Sequence, residues 1–183
     1  MKTIYFLLPI LLLLTPGCDD DDLQPSNAAA LARLNQEVPI TTNGANRVGC
    51  LIDGEVWFDQ GGTISNPDVR GNYGAGPPNE TVNVVGFDQI DRDSFLFTTI
   101  SVRCNPLAGG AQFVDNTFSN FRSTTSKNEY RYYADLSKFN EVDIIFLDAT
   151  NRVVSGTFSM TVYNEELQDT LVITEGRFDV TYQ

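Results

Sequence analysis

The 183-residue chain contains no histidine, and this absence removes several kinds of chemistry. Without histidine there is no Ser-His-Asp or Cys-His catalytic arrangement, and zinc loses its commonest protein ligand. Lysine and arginine number 12 against 24 acidic residues, and they are scattered singly along the chain. Because no basic stripe is present to neutralise phosphates, the composition argues against nucleic-acid binding. We therefore assign no catalytic residue and predict no cofactor.

The apolar segment at the N-terminus, Ile4–Leu14, is too short to span a bilayer as a helix, which needs about 20 residues. It follows a lysine and is typical of the hydrophobic region of a secretory signal peptide. Gly17 and Cys18 then match the end of a bacterial lipobox, although the two residues before Gly17 depart from it. We predict that residues 1–17 are removed and that acylated Cys18 anchors the protein in the outer membrane. The alternative is an ordinary cleaved signal peptide that leaves a free cysteine.

Four aspartates follow directly: Asp19, Asp20, Asp21 and Asp22. Acidic residues just after a lipidated cysteine resemble the surface-export signal of Bacteroidota lipoproteins, and this resemblance implies display at the cell surface. Two alternatives stay open. One is that the run is only a solvated spacer. The other applies to an enterobacterial host, in which an aspartate directly after the lipidated cysteine directs retention in the inner membrane.

Cysteine is scarce, with three residues in the chain. If Cys18 carries lipid, Cys50 and Cys104 remain as an even pair in an oxidising compartment, where a disulfide forms and persists. We predict a Cys50–Cys104 disulfide. The alternative is two separate buried thiols, because free cysteine packs as a small hydrophobic residue.

Residues 18–42 have the composition of an acidic tether or linker that lifts the folded domain from the membrane. A short helix over residues 28–35 is the alternative, with Leu31 and Leu34 on one face. Because a helix of two or three turns is marginal by itself, we predict a spacer and place a single folded domain at residues 43–183.

From Asn43 onward the chain changes to short segments in which apolar and polar residues alternate. Asp53-Gly54 predicts a hairpin with a type I′ turn, in which Cys50 faces Trp57 and Leu51 faces Val56. Further strands are predicted at residues 81–87, 94–103, 129–136, 142–147, 152–162, 170–174 and 176–182.

Two of these strands alternate most clearly. Phe158, Met160 and Val162 are predicted to point inward. Phe178, Val180 and Tyr182 share one face of the last strand, and the opposite, polar face carries Arg177, Asp179 and Thr181. Successive strands joined by short turns predict an all-β fold, an antiparallel β-sandwich, with a closed lipocalin-like β-barrel as the alternative.

Three segments carry a family resemblance: GANRVGCLIDGEVW at residues 44–57, VSGTF at 154–158 and ITEGRFDVTY at 173–182. In them the chain resembles a family of uncharacterised Bacteroidota lipoproteins with a C-terminal all-β domain of unknown function. The resemblance implies an envelope location and an all-β body. It implies no activity, because the family has no assigned mechanism to carry over.

Acidic residues supply the weak candidates for a metal site. Asp88, Asp91 and Asp93 lie in one predicted connection and could coordinate a hard cation through oxygen. Their spacing is not that of an EF-hand loop, and a solvated acidic turn is the alternative that we favour. Glu165, Glu166 and Asp169 form a second acidic cluster with the same two interpretations.

Aromatic residues supply the weak candidates for a ligand site. A platform on which sugar rings stack could be formed by Trp57, Tyr73, Tyr130, Tyr132 and Tyr133. The alternative is packing in the core and between strands, which is the usual place of alternating strand aromatics.

Two classes of function remain. The first is a non-enzymatic binding module of the cell envelope, with a glycan, a protein or a small lipophile as its partner. The second is a carboxylate-dependent hydrolase such as a glycosidase, which needs two carboxyl groups at a defined separation. We predict the binding module.

Overall fold

The computed structural model describes residues 25–59, 70–74, 81–91, 96–105, 109–113, 120–124 and 128–182. These residues form one helix and eleven strands: α1 (Pro25–Glu37), β1 (Arg47–Ile52), β2 (Glu55–Phe58), β3 (Arg70–Gly74), β4 (Thr81–Asp91), β5 (Leu96–Cys104), β6 (Gly110–Phe113), β7 (Asn120–Thr124), β8 (Glu129–Ala134), β9 (Glu141–Asp148), β10 (Val153–Asn164) and β11 (Asp169–Thr181).

The predicted hairpin at Asp53-Gly54 is confirmed. Both residues have positive φ angles, 49° and 84°, as a type I′ turn requires. The register pairs Cys50 with Trp57 and Leu51 with Val56. At this position the Asp-Gly pair was sufficient to predict both the turn and the register of the two strands.

Two of the predicted breaks between strands differ in the structure. The acidic connection expected at residues 88–93 is partly strand, because β4 continues to Asp91 and pairs with β5 there. The two strands predicted on either side of Glu175 are one strand, β11, with an irregular register opposite Gly49 and Leu51. Glu175 itself has a φ of 53°, so a bulge, and not a turn, interrupts the alternation.

All the strands belong to one antiparallel sheet with the order β2-β1-β11-β10-β8-β7-β5-β4-β3, and β9 and β6 branch from β10. The sheet curls into a half-barrel, so that its two halves face each other across the core. The all-β prediction is confirmed, although one continuous sheet provides both layers. Phe158, Met160 and Val162 are buried as predicted. Large side chains of both halves fill the space between them: Ile100, Phe121, Tyr132, Met160, Ile173 and Phe178.

The structure corrects the prediction of a disulfide. Cys50 and Cys104 are both free thiols, each buried in the core. Cys50 lies opposite Trp57 in the β1–β2 hairpin, whereas the thiol of Cys104 donates to the carbonyl oxygen of Val82 at 3.6 Å. Burial raises the pKa of the Cys104 thiol to about 12, and burial also raises that of Cys50. The two residues therefore pack as small hydrophobic side chains, which is the alternative that the sequence left open.

The structure also corrects the boundary of the folded domain. Residues 25–37 form α1, and Leu34 and Val38 are fully buried in a small second core with Leu51. The second half of the expected tether is thus part of the fold. The apolar face of α1 packs on the β1–β2 hairpin, a contact that an isolated helix lacks.

Two charged residues of β11 hold the segment that follows α1. Asp179 is buried, with 2% of the residue exposed, and its carboxylate accepts hydrogen bonds from five groups. The donors are the hydroxyls of Thr41 and Ser155 at 2.6 and 2.7 Å and the backbone amides of Asn43, Gly44 and Ala45 at 2.9 to 3.2 Å. Burial alone raises the pKa of a carboxyl group, but these hydrogen bonds outweigh it and hold the pKa of Asp179 below its usual range.

Arg177 is the second of these residues and is also buried. Its guanidinium donates to the side-chain oxygen of Asn35 and to the carbonyl oxygen of Val38, and it lies 3.5 Å from the carboxylate of Glu175. Burial lowers the pKa of Arg177 relative to an exposed arginine. Arg177 thus binds the end of α1 to β11.

Candidate functional site

A groove on the outer face of the sheet follows the junction of β8 and β10. Tyr133 and Tyr163 are directly opposite each other there, in adjacent antiparallel strands. The alternation of β8 turns Tyr132 and Ala134 into the core and leaves Tyr133 outside, 46% exposed. Tyr163 is half-buried on the same outer face. Two tyrosines therefore share one side of the sheet at cross-strand distance.

The groove exists because β10 changes partners. Its first part pairs with β9 and its last part with β8, and the connection between β8 and β9 contributes residues 135–137 to the lining of the groove. Buried Asn140 holds this junction. Its amide group donates to the carbonyl oxygens of Asp135 and Lys138 at 2.6 and 3.0 Å, and its oxygen accepts from the backbone amide of Thr161 at 2.7 Å.

A second buried amide shapes the opposite wall. Asn164 donates to the carbonyl oxygen of Arg131 at 3.0 Å and accepts from the backbone amide of Leu167 at 2.7 Å. It thereby fixes the turn of residues 165–168 against β8. Gln168 closes that turn with a 2.7 Å hydrogen bond to the carbonyl oxygen of Glu165.

The groove between these walls is open to solvent and has a volume of about 960 Å³. Its lining combines two tyrosines, one leucine, four carboxylates, one guanidinium and several small polar groups. The lining residues are Glu129, Arg131, Tyr133, Ala134, Asp135, Leu136, Ser137, Tyr163, Asn164, Glu165, Glu166 and Thr170.

Hydrogen bonds keep two of the four carboxylates ionised. Glu129 accepts from the guanidinium groups of Arg131 and Arg122, and the bond from Arg131 is the main reason that its pKa is lowered. Asp135 accepts from the hydroxyl and the backbone amide of Ser137 at 2.7 and 2.9 Å, which lowers its pKa as well. Arg131 has a raised pKa through its bonds to Glu129 and Tyr133. This face of the groove is a fixed polar network.

The structure separates the aromatic residues that the sequence put forward together. Trp57 and Tyr132 are buried in the main core, and Tyr130 packs against it. The hydroxyl of Tyr132 donates to Asp169 at 2.9 Å, and burial raises its pKa to about 12. These three residues therefore form no exposed stacking platform. The side chain of Tyr73 lies outside those that the structure describes.

Of the exposed pair, Tyr133 was among the aromatic candidates that the sequence put forward, whereas Tyr163 was not, although its signal was present. Tyr133 alternates with the inward residues of β8. Tyr163 continues the outward series of Thr157, Ser159 and Thr161. What the sequence lacked was the register that sets the two tyrosines opposite each other.

The acidic candidates have a mixed outcome. The structure describes only the backbone of Asp88 and Asp91, and Asp93 lies outside the described residues, as do Cys18 and Asp19 to Asp22. Within the described part of the chain, no group of three histidine, cysteine, aspartate or glutamate residues is arranged to hold a metal ion. Glu165 and Glu166 stand on the wall of the groove, and Asp169 bonds to Tyr132 beneath it.

No family model, no curated protein and no solved structure matches this chain. The resemblance to Bacteroidota lipoproteins therefore stays a prediction. Within the described residues, no helix has both the length and the apolar character needed to cross a membrane.

Proposed function

We propose that the protein is a lipid-anchored, surface-displayed protein of the bacterial cell envelope whose folded body binds glycans without enzymatic turnover. The observation that carries this proposal is the pair Tyr133 and Tyr163, opposite each other on an exposed sheet face within a groove of polar side chains. The anchor is supported by the signal segment and Cys18, and display by the aspartates that follow.

A sugar ring suits this combination of groups. One face of a pyranose is lined by C–H bonds and packs on an aromatic ring, while its rim carries hydroxyl groups that need hydrogen-bond partners. The groove offers both kinds of contact. Carboxylate oxygens accept from sugar hydroxyls, and so can the hydroxyl oxygen of Ser137, whose proton is donated to Asp135. The hydroxyl of Thr170 and the guanidinium N–H groups of Arg131 that do not bond to Glu129 can donate to the sugar.

Two other functions considered from the sequence, binding of a small lipophile and glycoside hydrolysis, receive less support. A small lipophile needs an apolar internal cavity, whereas the space between the two halves of the sheet holds large buried side chains. A glycosidase needs a carboxylic acid with a raised pKa as its general acid. The two carboxyl groups of the groove whose pKa values are shifted, Glu129 and Asp135, are shifted downward.

Titration of the purified Cys18→Ser chain with a panel of neutral oligosaccharides tests the proposal. The panel contains β-1,4-linked glucose and N-acetylglucosamine hexamers and α-1,4-linked glucose hexamers, with isothermal calorimetry as the measurement. We expect Tyr133→Ala and Tyr163→Ala each to weaken binding about tenfold, equivalent to about 1.4 kcal/mol. Tyr133→Phe should retain most of the affinity, since it keeps the ring.

The matched control is Ile145→Ala, which truncates a side chain that is also 46% exposed but lies on β9, outside the groove. It should bind as the wild type does. If Tyr133→Ala and Tyr163→Ala both bound as strongly as the wild type, the proposed site would be wrong. Turnover of a hexamer would replace the binding function with an enzymatic one.

A further inference from the structure

The charges of the groove are unbalanced. Four carboxylates line it, those of Glu129, Asp135, Glu165 and Glu166, against one guanidinium, that of Arg131. Arg131 is already committed to Glu129, and Lys138 lies near enough to Asp135 to lower its pKa. The excess negative charge therefore concentrates on the turn that carries Glu165 and Glu166.

Glu165 and Glu166 are held at this place by the fold. Asn164 and Gln168 fix the turn through the bonds to Leu167 and to the carbonyl oxygen of Glu165. Both glutamates are exposed. Among the ion pairs of the described residues, none includes either glutamate. The two carboxylates thus face the same groove as the tyrosine pair and are available to a ligand.

We propose that this groove selects glycans that carry protonated amino groups, such as oligomers of glucosamine, over their neutral N-acetylated counterparts. The inference rests on the proposed glycan-binding function and names its ligand class. An ammonium group that lies near the tyrosine rings gains from cation–π attraction. Glu165 and Glu166 supply charge-assisted hydrogen-bond acceptors for it. The net charge of −12 attracts such a ligand further and repels glycans rich in uronic acid or sulfate.

The test compares two hexamers with the same β-1,4 backbone, one of glucosamine and one of N-acetylglucosamine, as ligands of the purified Cys18→Ser chain at about pH 5.5. At this pH a large share of the sugar amines is protonated. We expect the glucosamine hexamer to bind at least about tenfold more tightly, with a preference that weakens as sodium chloride is raised.

The double variant Glu165→Gln/Glu166→Gln should reduce the ratio of the two affinities to near one. The matched control is Glu37→Gln/Glu55→Gln, which removes the same two charges from exposed positions on α1 and β2, outside the groove. It should retain the preference. Thermal unfolding of both double variants confirms that each is folded.

The possible outcomes separate the two proposals. Equal affinity of the wild type for both hexamers would overturn the preference for amines and leave the glycan-binding function standing. Loss of the preference in the control as well as in the groove variant would also overturn it, because net charge and not the groove would then be responsible. Binding of neither hexamer, nor of any other oligosaccharide in the panel, would remove the proposed function and with it this inference.

Discussion

Asp179 illustrates how a residue on the polar side of a strand becomes buried. The alternation of β11 separates it from Phe178 and Val180, as the sequence predicted, and both of those residues are in the core. The segment of residues 41–45 then covers the opposite face, and its amide groups and Thr41 close around the carboxylate. Strand periodicity indicated the face of Asp179 correctly, but not what lies on that face.

We predict that Asp179→Asn destabilises the protein strongly at neutral pH. An amide in place of the carboxylate presents a donor to groups that are themselves donors, and each buried donor left unpaired costs about 1–3 kcal/mol. Urea unfolding followed by tryptophan fluorescence measures the loss. The control is Asp148→Asn, because Asp148 bonds in the same way to Thr150 and Asn151 but in an exposed turn. Its effect should be clearly smaller.

The pH dependence of the same variant has a definite sign. The pKa of Asp179 is lowered in the folded state, so its ionisation stabilises the fold at pH values above the unfolded pKa of about 3.9. This contribution is lost as the pH falls through the folded pKa. The difference in unfolding free energy between wild type and Asp179→Asn should therefore be constant from about pH 5 to 7 and shrink below about pH 4. A difference that grows on acidification would contradict the role of Asp179.

At the scale of elements, α1 is a helix whose formation was left open by its sequence and is decided by its packing against the sheet. The sequence offered a spacer or a marginal helix, and the structure has a helix from Pro25 to Glu37 that is docked through Leu34 and Val38. Gly49 on β1 makes room for it. A Cβ atom at that position would lie 2.9 Å from side-chain carbons of both Leu34 and Val38. Burial against the hairpin supplies the stability that a short helix lacks by itself.

We predict that Leu34→Ala lowers the unfolding free energy by about 2–5 kcal/mol, the usual cost of truncating a fully buried leucine. Leu34 has no exposed surface, whereas Leu167, in the turn between β10 and β11, is 44% exposed. Leu167→Ala is therefore the matched control and should have little effect. Chemical denaturation of the two variants gives the comparison, and equal stabilities would show that α1 is not part of the cooperative unit.

At the scale of the whole molecule, the helix changes the geometry of the proposed anchor. The helix α1 begins at Pro25, seven positions after Cys18. Seven residues span at most about 25 Å when fully extended. If Cys18 carries lipid, the start of α1 therefore lies within that distance of the membrane surface. The predicted spacer of residues 18–42 would have allowed a larger separation.

We predict that wild-type protein extracted from membranes of its native host carries two or three acyl chains on Cys18, detectable by intact-mass measurement. Cys18→Ser should move the protein to the soluble fraction, because multiple acyl chains provide stable anchoring. Replacing Asp19 to Asp22 with alanine is the control. It should leave the acyl mass in place and reduce protease accessibility on whole cells. An unmodified N-terminus in the wild type would contradict the anchor.

The sequence by itself determined the local geometry of this protein. The Asp53-Gly54 pair specified a hairpin and its register, and the alternation of β10 and β11 specified which side chains enter the core, because turns and pleats depend on neighbouring residues. Only the tertiary structure decided which polar faces are covered. It buried Arg177 and Asp179 beneath the N-terminal segment, left Cys50 and Cys104 as free thiols in the core, and set Tyr133 opposite Tyr163 where β10 changes partners. These outcomes depend on which distant segments pack together, and no short-range pattern in the chain carries that information.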